Sequence, residues 1–227
     1  RRSSDLLNIE VNGEVITQFY TDKVRALLIY LSLEKKRALT RSHLAGLFWS
    51  DLSEKQASQS LRQTLTLLRK VLGDNTSENP IIQIDRDHLK INPTIPVWVD
   101  VLEFKYLLKQ AYLHFQRQDQ IHQINFRALR KGLDLRTADF LDGFSISGAP
   151  LFDEWVSMLR EDLDHQTAEG LEKISHYYRN RGEFTLAQEM VQRILQINPW
   201  DESANLMMMR LYAMDDQWSA FENQFRI

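Results

Sequence analysis

The side chains best suited to chemistry in this chain are polar and cationic residues that recur at helical spacing between positions 55 and 70. They are Lys55, Gln59, Arg62, Gln63, Thr66 and Lys70. Arginine can donate two parallel hydrogen bonds to guanine, and glutamine can pair with adenine. Arg62 and Gln63 are therefore the predicted base-reading residues. An ordinary solvated helix face is the alternative interpretation.

An apolar stripe at the same period predicts the helix that carries these side chains. Leu61, Leu65, Leu68 and Leu72 recur at i, i+4, i+7 and i+11, which is one face of an amphipathic helix. Arg69 lies nearer that stripe, and two roles stay open for it. It either runs along the core or reaches a phosphate.

The elements predicted around this helix follow the order found in a DNA-binding fold. A short helix, with Leu44, Leu47 and Phe48 inward, precedes the long one, and residues 81–91 predict two strands with a polar tip. A short helix, a turn, a long helix and a hairpin form a winged helix-turn-helix. In that fold the long helix enters the DNA major groove.

The start of the short helix is a candidate phosphate contact. Thr40 or Ser42 is the expected cap, and the amides at a helix N-terminus favour anions. Arg41 and Ser42 are the predicted contact residues here. Capping alone is the alternative, and the two roles are compatible.

The tip of the predicted hairpin is a second candidate DNA contact beside the long helix. Arg86, His88 and Lys90 are predicted to enter the minor groove or touch phosphate. Asp85 and Asp87 stand beside them and repel DNA, so the contact and its absence both stay open. Residues 35–37, Lys-Lys-Arg, favour a solvated turn over a contact.

Composition fits a folded protein whose two ends differ in charge. The chain has 227 residues, a formal net charge of −3 and no cysteine, which excludes a disulfide framework and a thiolate metal site. Residues 1–100 carry 14 Lys and Arg against 12 Asp and Glu, whereas residues 101–227 carry 14 against 19. A weakly basic N-terminal part and an acidic C-terminal part suit a DNA-binding module joined to one that does not touch DNA. The sequence has no apolar run of the roughly 20 residues that a membrane helix needs.

The sequence offers no constellation typical of an enzyme. The six histidines, at positions 43, 88, 114, 122, 165 and 176, have no metal-binding spacing. Asp139, Asp142, Asp153 and Glu154 have no accompanying nucleophile or glycine loop. The prediction is a protein without enzymatic activity, metal or cofactor.

The remaining elements predict two domains. Asn12-Gly13 predicts a hairpin within residues 6–19, and a helix is expected at residues 22–33. Helical periodicity dominates from Val101 onward, with helices near residues 101–108, 126–133, 151–180, 185–197 and 201–214 and one from 217. Pro93 and Pro96 mark the boundary between domains at residues 1–98 and 99–227. The fold class is mainly α with a small β component.

The second domain contains a candidate internal repeat. The first copy has Tyr178, Gly182, Ala187 and Pro199, and the second has Tyr212, Asp216 and Ala220. Tyrosine recurs after 34 residues and alanine after 33, near the period of tetratricopeptide repeats. The chain ends within a predicted helix, so more protein is expected to follow. The five tryptophans, at positions 49, 98, 155, 200 and 218, and residues 207–209, Met-Met-Met, are predicted to pack in cores.

Motifs along the whole chain resemble the Streptomyces antibiotic regulatory protein family. The matching residues are 24–28 (VRALL) with Leu31, 44–49 (LAGLFW) with Asp51, 61–63 (LRQ), 68–70 (LRK) with 72–74 (LGD), 99–100 (VD) with Phe104, 140–143 (FLDG), Trp155 with Arg160 and Leu163, Pro199, Glu202, 206–207 (LM) and 211–212 (LY). Ser50 replaces the family's proline, residues 215–218 replace its glycine-arginine, and only Arg226 hints at its arginine-rich last helix. The resemblance implies an OmpR-like winged helix followed by a bacterial transcriptional activator domain.

The same resemblance implies a function. Such a protein is a bacterial, cytoplasmic, nucleoid-associated transcriptional activator that binds repeated elements in double-stranded DNA and recruits RNA polymerase holoenzyme, with a homodimer on repeated sites. Two alternatives stay open. One is a protein-interaction adaptor that uses the winged helix as a docking platform. The other is the output module of a larger nucleotide-switched sensor.

Overall fold

The computed structural model describes residues 9–113, 123–136 and 138–225. These residues form two compact units. Unit 1 contains the described residues of 1–103 and 138–159, and unit 2 contains those of 104–137 and 160–227. The predicted division at residues 98 and 99 stays a prediction. Leu7 of the predicted first hairpin and Arg226 of the closing helix lie outside the described residues.

The predicted first hairpin is confirmed in unit 1. Strands β1 (Ile9–Val11) and β2 (Glu14–Val15) pair antiparallel across Asn12 and Gly13, whose φ angles are 53° and 83°. Two consecutive positive φ angles are what a type I′ turn requires. A third strand, β6 (Val97–Val99), pairs with β1 and was not foreseen.

Helix α1 (Asp22–Leu33) has the predicted bounds. Thr21 caps it, because its side chain accepts a hydrogen bond from the Val24 amide. The helix is buried on nearly every side, with residues 26–32 all inside. It therefore forms the centre of the unit 1 core.

The winged-helix order predicted for residues 40–91 is present in unit 1. It runs through β3 (Leu39–Thr40), α2 (Arg41–Phe48), α3 (Glu54–Val71), β4 (Ile82–Ile84) and β5 (His88–Ile91). Strands β4 and β5 form the expected hairpin, and β3 adds a third strand on the other side of β5. Nothing in the apolar pattern indicated the two-residue β3.

The helices predicted after residue 100 are present. They are α4 (Asp100–Leu113), α5 (Gln123–Leu135), α6 (Pro150–Asn180), α7 (Phe184–Ile197), α8 (Glu202–Met214) and α9 (Trp218–Phe225). Helix α5 extends beyond the predicted residues 126–133, and α4 and α6 contribute residues to both units. The mainly helical class with a small β component is confirmed.

Two helical hairpins of unit 2 turn in the same way, 34 residues apart. The Glu183 amide donates to the Tyr178 carbonyl at 3.0 Å, and the Gln217 amide donates to the Tyr212 carbonyl at 2.9 Å. Gly182 has a φ of 74°, and Asp216 takes its place with a φ of 55°. Aspartate tolerates this left-handed conformation better than most residues. The turn is thus repeated without the glycine, and the tetratricopeptide assignment stays a prediction.

The prediction that all five tryptophans pack in cores is wrong for two of them. Trp200 and Trp218 are 77% and 59% exposed, whereas Trp49 is buried. Trp200 lies in the loop after Pro199, and Trp218 opens α9, which has no buried residue. The core prediction is confirmed for Met207 and Met208.

An aromatic cluster makes residues 138–159 part of the winged-helix unit. Phe152 of α6 lies with its ring centroid 5.1 Å from that of Phe48 in α2. Trp155 lies 4.9 Å from Tyr30 of α1, and Phe140 lies 6.3 Å from Trp155. Tilted and edge-on pairs at these separations are favourable beyond the area that they bury. The first turns of α6 therefore complete the core under α1 and α2.

We expect Phe152→Ala to lower the free energy of unfolding of unit 1 by about 3–5 kcal/mol, because a fully buried phenyl ring leaves a cavity. Differential scanning calorimetry of the whole chain measures the loss. Met158→Ala is the matched control, since that side chain of the same helix is 65% exposed. Equal stabilities for the two variants would contradict the role of Phe152.

Candidate nucleic-acid interface

One side of α3 is a continuous row of exposed polar side chains. All six residues predicted for this row are exposed: Lys55, Gln59, Arg62, Gln63, Thr66 and Lys70. The opposite side of the helix, including Leu61, Leu65 and Leu68, is buried. The helix therefore offers cations and amides along its length while its apolar stripe holds it in the core.

Two members of the row make contacts of their own. The Thr66 hydroxyl donates to the Arg62 carbonyl at 3.0 Å, which leaves the threonine oxygen as an acceptor and its methyl group as an apolar contact. The Lys70 ammonium lies 5.2 Å from the ring centroid of Tyr20. This cation–π contact holds Lys70 beside the last turn of α3.

The start of α3 is fixed by a local motif. Ser53 is the N-cap, and its amide and hydroxyl both donate to Gln56 Oε1, at 3.3 and 2.7 Å. Glu54 adds a negative charge to the first turn, where the helix dipole favours it. The first turn of the helix is therefore held in place by its own side chains.

The end of α3 is fixed by a Schellman motif. Gly73 has a φ of 69°, its amide donates to the Lys70 carbonyl, and the Asp74 amide donates to the Arg69 carbonyl at 2.8 Å. The chain reverses at once, which turns Asp74 back toward the hairpin.

Asp74 ties the end of α3 to the base of the hairpin. Its side chain is 1% exposed and accepts hydrogen bonds from the amides of Ile81 at 2.7 Å and Ile82 at 2.9 Å. Arg69 is half-buried, and its Nη2 donates to the Asp74 carbonyl at 3.3 Å. Arg69 thus lies toward the core and supports this junction, and its contact with a phosphate stays a prediction.

The hairpin tip exposes its cations and orders its own turn. Arg86, His88 and Lys90 are all exposed. The Asp85 amide donates to the His88 carbonyl at 2.9 Å, and the Arg86 amide donates to Asp85 Oδ1 at 2.6 Å. One oxygen of the Asp85 carboxylate is thus used within the turn, beside the cations that a phosphate would need.

The N-terminus of α2 is joined to the hairpin tip. Thr40 is the cap, since its Oγ1 accepts from the His43 amide at 3.2 Å, while Ser42 is exposed. The Arg41 amide donates to the Asp87 carbonyl at 2.9 Å. The amides of Arg41 and His43 are therefore occupied, and the Ser42 hydroxyl lies 3.2 Å from Thr40 Oγ1. Contact of Arg41 and Ser42 with a phosphate stays a prediction.

The turn between α2 and α3 is supported from both sides within unit 1. The Lys23 ammonium donates to the Phe48 carbonyl at 3.0 Å and lies 5.0 Å from the ring centroid of Trp49. Burial lowers the pKa of Lys23, and the charge of Asp51 opposes that shift. Gly148 has a φ of 72°, a conformation that favours glycine, and a Cβ there would lie 2.7 Å from Asp51 Oδ2 unless that side chain moved.

The described residues include neither a cluster suited to a metal ion nor a helix able to span a membrane. Within residues 9–113, 123–136 and 138–225, no three His, Asp or Glu side chains are grouped to hold a metal ion. His114 and His122 lie outside the described residues. Across the same ranges, none of the helices combines the length and the apolar character needed to cross a membrane.

Sequence reasoning missed the residues that position the row rather than form it. Asp74 had one signal, its place directly after the Leu72-Gly73 helix end, but the two amides that it binds lie seven and eight residues away. Lys23 and Gly148 act across 25 and 97 residues, on Phe48 and Asp51. Neither has a local pattern that indicates its role.

Unit 1 contains a winged helix-turn-helix, and helical hairpins follow it along the chain. No model of a known protein family matches this chain, and no curated protein matches it. Among solved structures, it is similar to Mycobacterium tuberculosis EmbR in complex with a low-affinity phosphopeptide, with a TM-score of 0.68 and 18% identity. The match covers 98% of this chain and 56% of that one, so this chain spans about half the length of its structural relative. At this identity the likeness concerns the fold alone.

We expect Asp74→Ala to lower the free energy of unfolding by about 2–4 kcal/mol, because two buried amides lose their acceptor. Calorimetry measures the global loss, and hydrogen exchange at the Ile81 and Ile82 amides measures the local one. Asn75→Ala, at an exposed neighbouring position, is the control. If both variants retain the same protection at Ile81 and Ile82, the carboxylate does not anchor the hairpin.

Proposed function

We propose that this chain is a sequence-specific DNA-binding transcriptional regulator without enzymatic activity. The observation that carries the proposal is the exposed row on α3, in which cations and amides alternate along one side of a helix that is buried on the other. The adjoining hairpin, with its exposed cations, supports the same function. A winged helix uses these two elements on a duplex.

The row separates into two kinds of contact. Arg62 and Gln63 stand near the middle of α3 and are the base readers, with Thr66 as an acceptor or a methyl contact for thymine. Lys55 and Lys70 lie near the two ends of the helix and are suited to phosphates, which set orientation rather than sequence. Gln59 lies between these groups and is suited to either.

The flanks extend the phosphate contacts. Arg41 and Ser42 at the start of α2 would hold the backbone on one side, and Arg86, His88 and Lys90 of the hairpin would hold it on the other. The hydrogen bond between the Arg41 amide and the Asp87 carbonyl supports a joint surface for the two flanks. Arg69 acts through Asp74 in this scheme and keeps the helix and hairpin together.

The resemblance to Streptomyces antibiotic regulatory proteins supplies the rest of the proposal. By that resemblance the regulator is a bacterial cytoplasmic activator that recruits RNA polymerase holoenzyme, with two copies on repeated sites. The helical hairpins after the winged helix would be tetratricopeptide-like and serve protein contacts. The arrangement is also compatible with an output module of a larger nucleotide-switched sensor.

A docking adaptor is the second candidate function. The exposed Asp85 and Asp87 on the hairpin favour it, as does the net charge of −3, because both weaken attraction to DNA. The adaptor would use the same α3 face for a protein partner. It differs from the first proposal in having no preference among duplexes.

Selection of duplexes from a random pool by the 227-residue chain, followed by salt titration of the selected duplex, separates the two functions. We expect an enriched motif and an affinity that falls steeply as salt rises, because phosphate contacts release counterions. No enrichment at low salt would contradict the regulator and favour the adaptor.

We expect Arg62→Ala to cost about 1–3 kcal/mol at one base position of the selected motif and to relax specificity there. Lys70→Ala should weaken binding evenly across sequences and reduce the salt slope by about 1. Fluorescence anisotropy with the motif and its single-base variants measures both effects.

Two controls accompany these variants. Tyr20→Leu removes the cation–π contact of Lys70 without removing its charge, and Lys109→Ala removes an exposed cation of α4. Neither should change specificity. A specificity profile that Arg62→Ala leaves unchanged would refute its base-reading role.

A further inference from the structure

A pocket of about 420 Å³ lies at the base of the hairpin in unit 1. Its walls come from the loop between α1 and β3, at residues 35–38, and from the stretch between residues 90 and 97. Ile91 pairs with Ile82 at the end of the hairpin away from its turn, so the pocket lies toward that end. Of the exposed hairpin cations Arg86, His88 and Lys90, it shares Lys90. The volume falls within the range of small-molecule sites.

The charged side chains in the described lining of this pocket are all cationic. Lys35, Lys36, Arg37 and Lys90 contribute to its lining, and the described residues that line it include no Asp or Glu. Arg37 has a partner in Glu34 at 3.5 Å, on the exposed side of the loop. Burial, and then the neighbouring charge of Lys36, lower the pKa of Lys35. A bound anion would oppose both effects.

The remaining wall is apolar and held in place. Ile91 and Val97 are buried there, and Ile95 is half-buried. Asn92 fixes the loop, because its Nδ2 donates to the Asn79 side chain and the Pro80 carbonyl while its Oδ1 accepts from Thr94. Lys35 Nζ donates to the Val97 carbonyl at 2.7 Å and joins the two walls. Hydrogen bonds within unit 1 therefore hold both walls of the pocket.

We propose that this pocket binds a small molecule that carries a phosphate group beside an apolar or planar body. The cations suit the phosphate, and the apolar wall suits the attached group. A phosphate of the DNA backbone could also bind the cations, but it has no group that would contact the apolar wall. The proposal goes beyond DNA recognition and does not depend on it.

Isothermal titration calorimetry of the whole chain with adenosine 5′-monophosphate and with inorganic pyrophosphate tests the site. We expect saturable one-to-one binding of adenosine 5′-monophosphate that is tighter than that of pyrophosphate, because only the nucleotide uses the apolar wall, and no binding of adenosine, which has no phosphate. The double variant Lys36→Gln with Arg37→Gln should weaken that binding about tenfold or more, because two charge-assisted contacts are lost. Lys109→Gln, an exposed cation outside the pocket, should leave it unchanged.

Two results would overturn the site. One is no binding of adenosine 5′-monophosphate at about 1 mM, whether or not pyrophosphate binds. If the double variant then also lowers duplex affinity and salt slope, the cations are backbone contacts. The other is binding that the double variant does not weaken relative to Lys109→Gln. Failure of the wild-type chain to select any DNA motif would contradict the proposed regulator function but would not affect the outcome of this ligand-binding test.

Discussion

The burial of Leu61, Leu65 and Leu68 fixes the rotation of α3 about its own axis. Successive helical residues are about 100° apart, so turning the helix by one position would carry Arg62 toward the core and a leucine toward solvent. A buried, unpaired guanidinium is costly, as is an exposed leucine stripe. The exposed row is thus specified by residues that take no part in it.

The ends of the helix add the second constraint, its position along the axis. Ser53 with Gln56 sets the first turn, and the Schellman motif at Gly73 sets the last. Asp74 then transmits that position to the hairpin through two amides. Helix and hairpin are therefore spaced by a carboxylate rather than by the length of the loop between them, which leaves residues 75–78 exposed.

Elements with a strong local period were predictable from the sequence. Helix α1, the stripe of α3, the Asn12-Gly13 turn and the hairpin strands β4 and β5 each carry their pattern within a few residues. Strand β3 has only two residues, and the pairing of β3 and β6 depends on partners far along the chain. The exposure of Trp200 could not be predicted either, because an aromatic side chain favours burial on average but a loop after a proline offers nothing to pack against. The six row residues were found by period alone, whereas their supports required the fold.

The aromatic contacts of Phe152 and Trp155 give the winged-helix unit a discontinuous core. A ribosome must synthesise residues 104–159 after the rest of that unit before the core can close. At usual elongation rates this interval lasts roughly 3 to 11 s. During it, Phe48 lacks its contact with Phe152 and Tyr30 lacks its contact with Trp155, so that the nascent chain exposes apolar surface that these two rings later cover. The order of the segments along the gene thus makes the first module a late folder, even though most of it emerges first.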